Sequence, residues 1–137
     1  MKTKHYLTLS DAQIILDYAV ELSVQQGFAM SISIVDESGA LLTMKRMDGA
    51  SGLTAHLSLE KAKCSALSRR PSGFYEDIIR KGQMGFLTLD SFSGMLEGGE
   101  PIIYQEQLVG AIGISGAKLF EDAAIAQQAI AHFFADL

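Results

Sequence analysis

The feature that most constrains the fold is a glycine-rich hairpin, "EGGEPIIYQEQLVGAIGISGA", which runs from Glu97 to Ala117. It holds five of the thirteen glycines of the chain, namely Gly98, Gly99, Gly110, Gly113 and Gly116. Two apolar runs flank a short polar segment, which predicts strands over 101–105 and 108–114. Because strand residues alternate between faces, Gly110 and Gly113 should lie on opposite faces of the sheet. Each face can then accept a helix, a ligand or another chain at short range.

The ends and the turn of this hairpin carry further expectations. The pair Gly98–Gly99 forms the entry turn, and Ser115–Gly116 forms the exit to the last helix. A tight two-residue turn needs residues that accept positive φ, and Gln105 and Glu106 are poor at this. The sequence therefore predicts a longer or different turn between the two strands.

Helices dominate the ends of the chain. A first helix is predicted to start at Ser10, with Gln13 completing a capping box, and to stop at Gly27. A last helix, from about residue 118, has an apolar stripe of Leu119, Ala123, Ala126, Ile130 and Phe133.

Between these helices the patterns are those of strands. Alternating apolar residues predict a hairpin with strands at 30–35 and 41–47, and a short strand is predicted at 86–89. Helices that bracket antiparallel hairpins indicate an α+β fold with one central sheet. A length of 137 residues predicts a single domain, 1–137.

The middle helix, "SGLTAHLSLEKAKCSALSRR", places ionisable residues on an apolar stripe. Helical spacing aligns Leu53, Leu57, Cys64 and Leu67 on one face. Glu60 falls within that stripe, and His56 and Lys61 fall on its two edges. A carboxylate among side chains that favour burial requires a partner.

Composition excludes several classes of protein. A net charge of -5 argues against nucleic-acid binding, because phosphate neutralisation needs a basic surface. One cysteine, Cys64, excludes an intramolecular disulfide and a cysteine-only zinc site within one chain. No apolar signal segment or membrane-spanning run is present, so no membrane partner and a cytoplasmic location are expected.

Metal or haem ligation is the first possible chemistry. The three histidines show neither paired zinc spacing nor C-x-x-C-H. A single axial histidine suffices for non-covalent haem, and His56 beside an apolar stripe is the candidate iron ligand. The alternative is a structural histidine bonded to Glu60, one turn further along the helix.

Acid–base chemistry is a second possibility. Arg46, Asp48, His56, Glu60 and Lys61 come from adjacent elements and can converge on one site. The alternative is a structural network of ion pairs near a subunit interface. Cys64, within the apolar stripe, is predicted to be an inert core residue rather than a reactive thiol.

Phosphate binding by the glycines is not supported. Their spacing matches neither G-x-G-x-x-G nor a Walker loop. Glu121 and Asp122 follow the exit of the hairpin and would repel an anion at the start of the last helix.

Taken together, the segments "LTLSDAQIIL", "ISIVDESGALLTMKRMDGA", "EKAKCSA", "GGEPI" and "VGAIGISGA" resemble the GlcG/HbpS family, also called the haem-degrading domain family. That family includes haem-binding proteins and the C-terminal domain of PduO-type corrinoid adenosyltransferases. The resemblance covers nearly the whole chain. It implies a profilin-like fold, with an antiparallel sheet of about five strands and helices packed on it, and it implies homo-oligomers.

The resemblance also implies a ligand region. By position it comprises Arg46, Asp48, the helix that carries His56, Glu60 and Lys61, the Gly98–Gly99 turn, and Ser115–Gly116. Family members often have an acidic residue at the position of His56. A histidine there creates a haem ligand or alters a polar pocket.

Three functions remain open on the sequence. The first is non-covalent binding of haem or another tetrapyrrole. The second is a binder of, or an enzyme for, a small carboxylate metabolite, with Arg46 as the clamp. The third is an accessory oligomeric subunit without chemistry, in which Glu60 and Lys61 pair across a subunit boundary.

Overall fold

The computed structural model describes all residues, 1–137, as four α-helices and four strands. The helices are α1 (Leu9–Gln25), α2 (Gly52–Ser68), α3 (Gly73–Arg80) and α4 (Leu119–Ala135). The strands are β1 (Ser31–Asp36), β2 (Leu41–Arg46), β3 (Gly99–Tyr104) and β4 (Gln107–Ser115). No helix combines the length and the apolar character that crossing a bilayer requires.

The strands form one antiparallel sheet in the order β2-β1-β4-β3. The α+β class and the central sheet are as predicted, but the sheet has four strands rather than about five. The strand predicted at 86–89 is wrong, since Met84–Thr88 forms a 3₁₀ helix. The hydroxyl of Thr88 donates to the Gly85 carbonyl at 2.7 Å, a local bond that favours the turn over an extended segment.

Helices α1 and α4 cover one face of the sheet and form the main core with it. This face carries four buried isoleucines, Ile32, Ile34, Ile112 and Ile114. The predicted stripe of α4 is confirmed at Ala123, Ala126 and Phe133, which are all buried there. The start of α1 differs from the prediction: Thr8, not Ser10, caps it, in a capping box with Asp11.

Helix α2 covers the other face of the sheet with small and polar residues, and not with the predicted leucine stripe. Leu53 and Leu67 are 67% and 43% exposed. The buried positions of α2 are Ser58, Lys61, Ala62, Cys64, Ser65 and Ala66. The reason lies in the strands below: Gly113 and Gly99 bring the α2 backbone so near the sheet that leucine side chains do not fit directly between them. Lys61 is the one long side chain buried on this face of α2.

The two hairpin glycines face opposite sides, as expected. A Cβ on Gly113 would lie 2.6 Å from the backbone nitrogen of Ala62 in α2. A Cβ on Gly110 would instead lie 3.2 Å from Leu7 Cδ2, a residue of the main core. Gly113 therefore allows α2 to approach the sheet closely on one face.

The turn of this hairpin contradicts the sequence prediction. Tyr104 pairs with Gln107, so only Gln105 and Glu106 connect the strands, with φ of 48° and 65°. A tight turn with positive φ at both central positions matches the twist of the strands. Pairing along nine residues of β4 thus overrides the poor local preference.

We expect Glu106→Gly to raise the free energy of unfolding by about 1 kcal/mol, because glycine adopts positive φ without the steric cost of a Cβ. Urea denaturation measures the change. Glu106→Ala is the matched control, since it removes the same charge but keeps the Cβ. Equal stabilisation by both variants would contradict a conformational origin.

Candidate functional site

Four of the predicted site residues meet at one end of the sheet. Ser31 of β1 pairs with Arg46 on one side and with Ser115 on the other. Antiparallel partners project to the same face, so Arg46 and Ser115 flank Ser31 on the face that α2 covers. Asp48 follows Arg46 in an exposed turn, and Gly116 follows Ser115. The structure therefore brings Arg46, Asp48, Ser115 and Gly116 to the same end of the sheet.

The guanidinium of Arg46 is exposed at this edge. Its Nε donates to the Ala50 carbonyl at 2.9 Å, across the turn that contains Asp48. It forms no salt bridge, so the terminal amino groups remain available to an anionic group. Within the chain, the hydrogen-bond partner of the guanidinium is thus a backbone carbonyl.

Lys61 is fully buried beneath the same edge. Its Nζ lies 3.1 Å from Oδ2 of Asp122 and donates to the Ile114 carbonyl at 2.9 Å. The two charged side chains are 0% and 1% exposed. The other carboxylate oxygen of Asp122 accepts from the Ala117 N–H at 3.0 Å. The ion pair therefore ties α2, the end of β4 and the start of α4 together.

Each charge of the pair depends on the other. Burial lowers the pKa of Lys61 from its ordinary value, and the Asp122 carboxylate opposes that shift. Burial raises the pKa of Asp122, opposed first by Lys61 and then by the Ala117 N–H. Removing either partner would leave an uncompensated charge in a site without water contact.

The Gly98–Gly99 turn closes on Lys61. Gly98 has φ of 129°, and a Cβ there would lie 2.8 Å from Lys61 Nζ. Gly99 donates its N–H to Ser72 Oγ at 2.8 Å, and the Gly98 carbonyl accepts from Ile114 N–H at 3.0 Å. The turn thus seals the buried ammonium rather than presenting free amides to solvent.

His56 and Glu60 lie on the outer side of α2. His56 is exposed, and its ring forms no hydrogen bond within the chain. Glu60 is half-buried, accepts from Ser93 Oγ at 2.9 Å and lies 3.7 Å from Lys63 Nζ. The bond between His56 and Glu60 that the structural alternative requires is therefore absent. The structure does not bring these two residues to the Lys61 cluster.

Neither the thiol of Cys64 nor the start of α4 offers a reactive or anion-binding group. Cys64 is fully buried, and burial raises its pKa to about 12, so it is an inert core thiol as predicted. At the start of α4, Asp122 accepts from Ala117 N–H and Glu121 accepts from Lys118 N–H at 3.1 Å. These carboxylates occupy the amides that an anion would need.

Sequence reasoning missed Asp122 as the partner of Lys61 and Ser72 as the partner of Gly99. The two charged residues are 61 positions apart in the sequence. In addition, an acidic residue in the first turn of a helix is already explained by its favourable interaction with the helix dipole. The one signal that pointed to it was the proximity of Glu121 and Asp122 to the glycine-rich exit of β4.

The four-stranded antiparallel sheet, with α1 and α4 on one face and α2 on the other, defines a profilin-like α+β protein. Residues 7–131 match the sequence model of the family described as "Haem degrading protein HbpS-like". The chain belongs to this HbpS-like family. The resemblance noted in the sequence is therefore confirmed.

Individual relatives agree with that assignment. Protein GlcG of Escherichia coli strain K12 is 36% identical over 115 residues, which are 84% of this chain and 85% of GlcG. A crystal structure of a double mutant of Streptomyces reticuli HbpS superposes with a TM-score of 0.84 at 27% identity, covering 96% of this chain and 90% of that one. The crystal structure of a PduOC complex with haem has a TM-score of 0.84 at 26% identity, over 93% and 94% of the two chains.

Proposed function

We propose that the protein binds haem or a related tetrapyrrole non-covalently. The observation that carries the proposal is the haem complex of PduOC, whose chain shares this fold over almost its full length. The match to the family described as haem-degrading supports it. A bound haem would supply redox-active iron, and the protein would supply an iron ligand, charge partners and apolar walls.

Two residues of this chain suit such a ligand. The exposed, unbonded imidazole of His56 has a free nitrogen for iron, and Leu53, exposed one turn earlier, offers apolar surface beside it. The guanidinium of Arg46 has terminal donors that fit a propionate carboxylate. Lys61 would act indirectly, because its buried ion pair with Asp122 fixes α2 on the sheet and the Gly98–Gly99 turn packs against it.

The single chain does not enclose this surface. Arg46, His56 and Ser115 line none of the five main surface cavities, and Arg46 and His56 are themselves exposed. A haem on α2 would therefore be covered on one side only. A homo-oligomer, in which a second copy supplies the opposite wall, is part of the proposal for this reason.

Titration with hemin, followed at the Soret band, tests the proposal. We expect a saturable shift, with affinity lowered about tenfold or more by His56→Ala, since the axial ligand is lost. His132→Ala is the matched control, because that ring stacks on Tyr18 at 3.6 Å in the α1–α4 layer. Absence of a saturable shift would refute haem binding; a shift unaltered by His56→Ala would refute only the role of His56.

A small carboxylate metabolite is the second candidate ligand, and Arg46 is the observation that favours it. Its exposed guanidinium has one bond to the protein, at Nε. Thermal shifts across a panel of small acids, with Arg46→Ala beside the control Arg80→Ala, separate this reading from haem binding. Arg80 is engaged by Glu76 at 2.8 Å and should leave any ligand effect intact.

The hypothesis of an accessory subunit must be corrected in one respect, the proposed pair between Glu60 and Lys61. A pair between Glu60 and Lys61 across a subunit boundary is wrong, because Lys61 is buried within its own chain against Asp122. Glu60 remains half-exposed and is bonded within the chain.

A further inference from the structure

A cavity on the opposite side of the molecule from α2 is a candidate for a second ligand site. It lies between the segment before α1, the β3–β4 hairpin and the end of α4, and its volume is about 200 Å³. Its floor consists of Leu7, Val109 and Phe133, which are all buried. None of its lining residues belongs to the proposed haem region, so it requires a separate explanation.

Aromatic rings form the walls of this cavity. Tyr104 and Phe134 lie nearly parallel, with an angle of 8° and ring centroids 6.0 Å apart. The ring of His5 meets Tyr104 edge-on at 4.9 Å. Faces of aromatic rings carry negative potential and attract both flat apolar groups and cations.

The segment that closes the cavity is held in place by the hairpin. The N–H of His5 donates to Oε1 of Gln107 at 3.0 Å, and His5 Nδ1 lies 3.3 Å from the same oxygen. With Nδ1–H assigned as the donor to that oxygen, Nε2 is the ring nitrogen left for a ligand. Both the backbone and the ring of His5 thus fix this segment against the β3–β4 hairpin.

The charge of the lining selects the class of ligand. Asp11 has the one lining side chain with a formal charge, and no lysine or arginine lines the cavity. Oδ2 of Asp11 accepts from Thr8 N–H at 3.0 Å, whereas Oδ1 has no donor within the chain. The net charge of -5 adds to the preference for a cation.

We infer that this cavity binds a small organic cation with an aromatic body, of the arylalkylamine class. A dry cavity of about 150 Å³ holds one benzene ring. The cavity here is about 200 Å³, which leaves room for a ring and a short charged arm. The ring packs between Leu7, Val109 and the aromatic walls, and the ammonium lies near Asp11 at the face of an aromatic ring.

Three probes of matched ring size test the inference: benzylammonium, benzyl alcohol and benzoate, titrated into the full chain by calorimetry or ligand-observed NMR. We expect saturable binding of benzylammonium, about threefold or more tighter than the alcohol, with benzoate weakest. Equal affinities for the three probes, or no saturation by benzylammonium, would overturn the inference.

Asp11→Asn isolates the charge, because asparagine keeps an oxygen acceptor for Thr8 N–H and so preserves the helix cap. We expect it to abolish the preference for the ammonium over the alcohol. Asp17→Asn, on the same helix but paired with Lys45 outside the cavity, should leave the preference unchanged. If Asp11→Asn keeps the preference for the ammonium, the proposed role of Asp11 is refuted. If binding is lost as the protein concentration rises, a second copy covers the cavity and the proposed ligand site is refuted.

Discussion

Replacing Lys61 by methionine is expected to lower the free energy of unfolding by about 3 to 5 kcal/mol, the loss typical when one partner of a buried ion pair is removed. The side chain of methionine fills a similar volume but carries no charge. Asp122 then stays buried with a single donor, Ala117 N–H, and the Ile114 carbonyl loses the lysine. Domains are commonly stable by about 5 to 15 kcal/mol, so this change removes a large share of the total.

Chemical denaturation of Lys61→Met measures the change, and Lys45→Met is its matched control. The Lys45 pair with Asp17 has the same length, 3.1 Å, but its side chains are 51% and 60% exposed. Exposed pairs of this kind contribute about 0 to 1 kcal/mol. Similar losses in the two variants would show that burial of the Lys61 pair has no energetic consequence.

A double variant distinguishes the charge from the packing. Lys61→Met with Asp122→Asn removes both charges and keeps an oxygen acceptor for Ala117 N–H. We expect it to recover a large part of the stability lost in Lys61→Met, since the cost arises from the unpaired carboxylate. If the double variant is as unstable as the single one, the loss comes from the missing lysine side chain and its bond to Ile114.

The elements that the sequence predicted well are those with local signals. The alternation of 30–35 and 41–47 and the apolar stripe of α4 depend on residues close in the chain, and both elements are present. The α+β class follows from their order. On the face that these segments turn to the main core the buried residues are apolar, as Ile32, Ile34 and Phe133 show, so the pattern and the packing agree there.

The face of α2 was mispredicted because it is determined by a distant strand. Leu53 and Leu67 look like core residues in isolation, yet Gly113 and Gly99 leave no space for them beneath the helix. Small residues and one lysine are buried in their place. The buried face of α2 can therefore be predicted only when the glycines of the hairpin are considered together with the helix that packs on them.

The candidate site likewise combines features that the sequence predicts with features that depend on residues far apart in the chain. Arg46 and Ser115 were expected to lie together, and their common partner Ser31 places them on one face. The partner of Lys61 was not predictable, because an ion pair between residues 61 positions apart leaves no trace in local spacing. The aromatic cavity was not found either, since it combines residues from both ends of the chain with a hairpin.

The second large effect is expected at Gly113, where alanine should destabilise the protein by about 3 kcal/mol or more, beyond the usual range for an extra methyl group in a core. A Cβ at this position would overlap the Ser58 carbonyl oxygen and lie 2.6 Å from the Ala62 nitrogen. Both are backbone atoms of α2 and cannot rotate away. The helix would have to lift from the sheet, and with it the Lys61–Asp122 pair that joins α2 to α4.

Gly85→Ala provides the control, because nothing lies within 4 Å of a Cβ there and its φ is not in the left-handed region. Thermal unfolding should show a large fall in the midpoint for Gly113→Ala and little change for Gly85→Ala. If Gly113→Ala fails to fold, Ala62→Gly in the same chain should not restore it, because the clash is with the helix backbone rather than with the Ala62 methyl group. Rescue by Ala62→Gly, or a midpoint close to that of Gly85→Ala, would contradict close backbone approach as the role of this glycine.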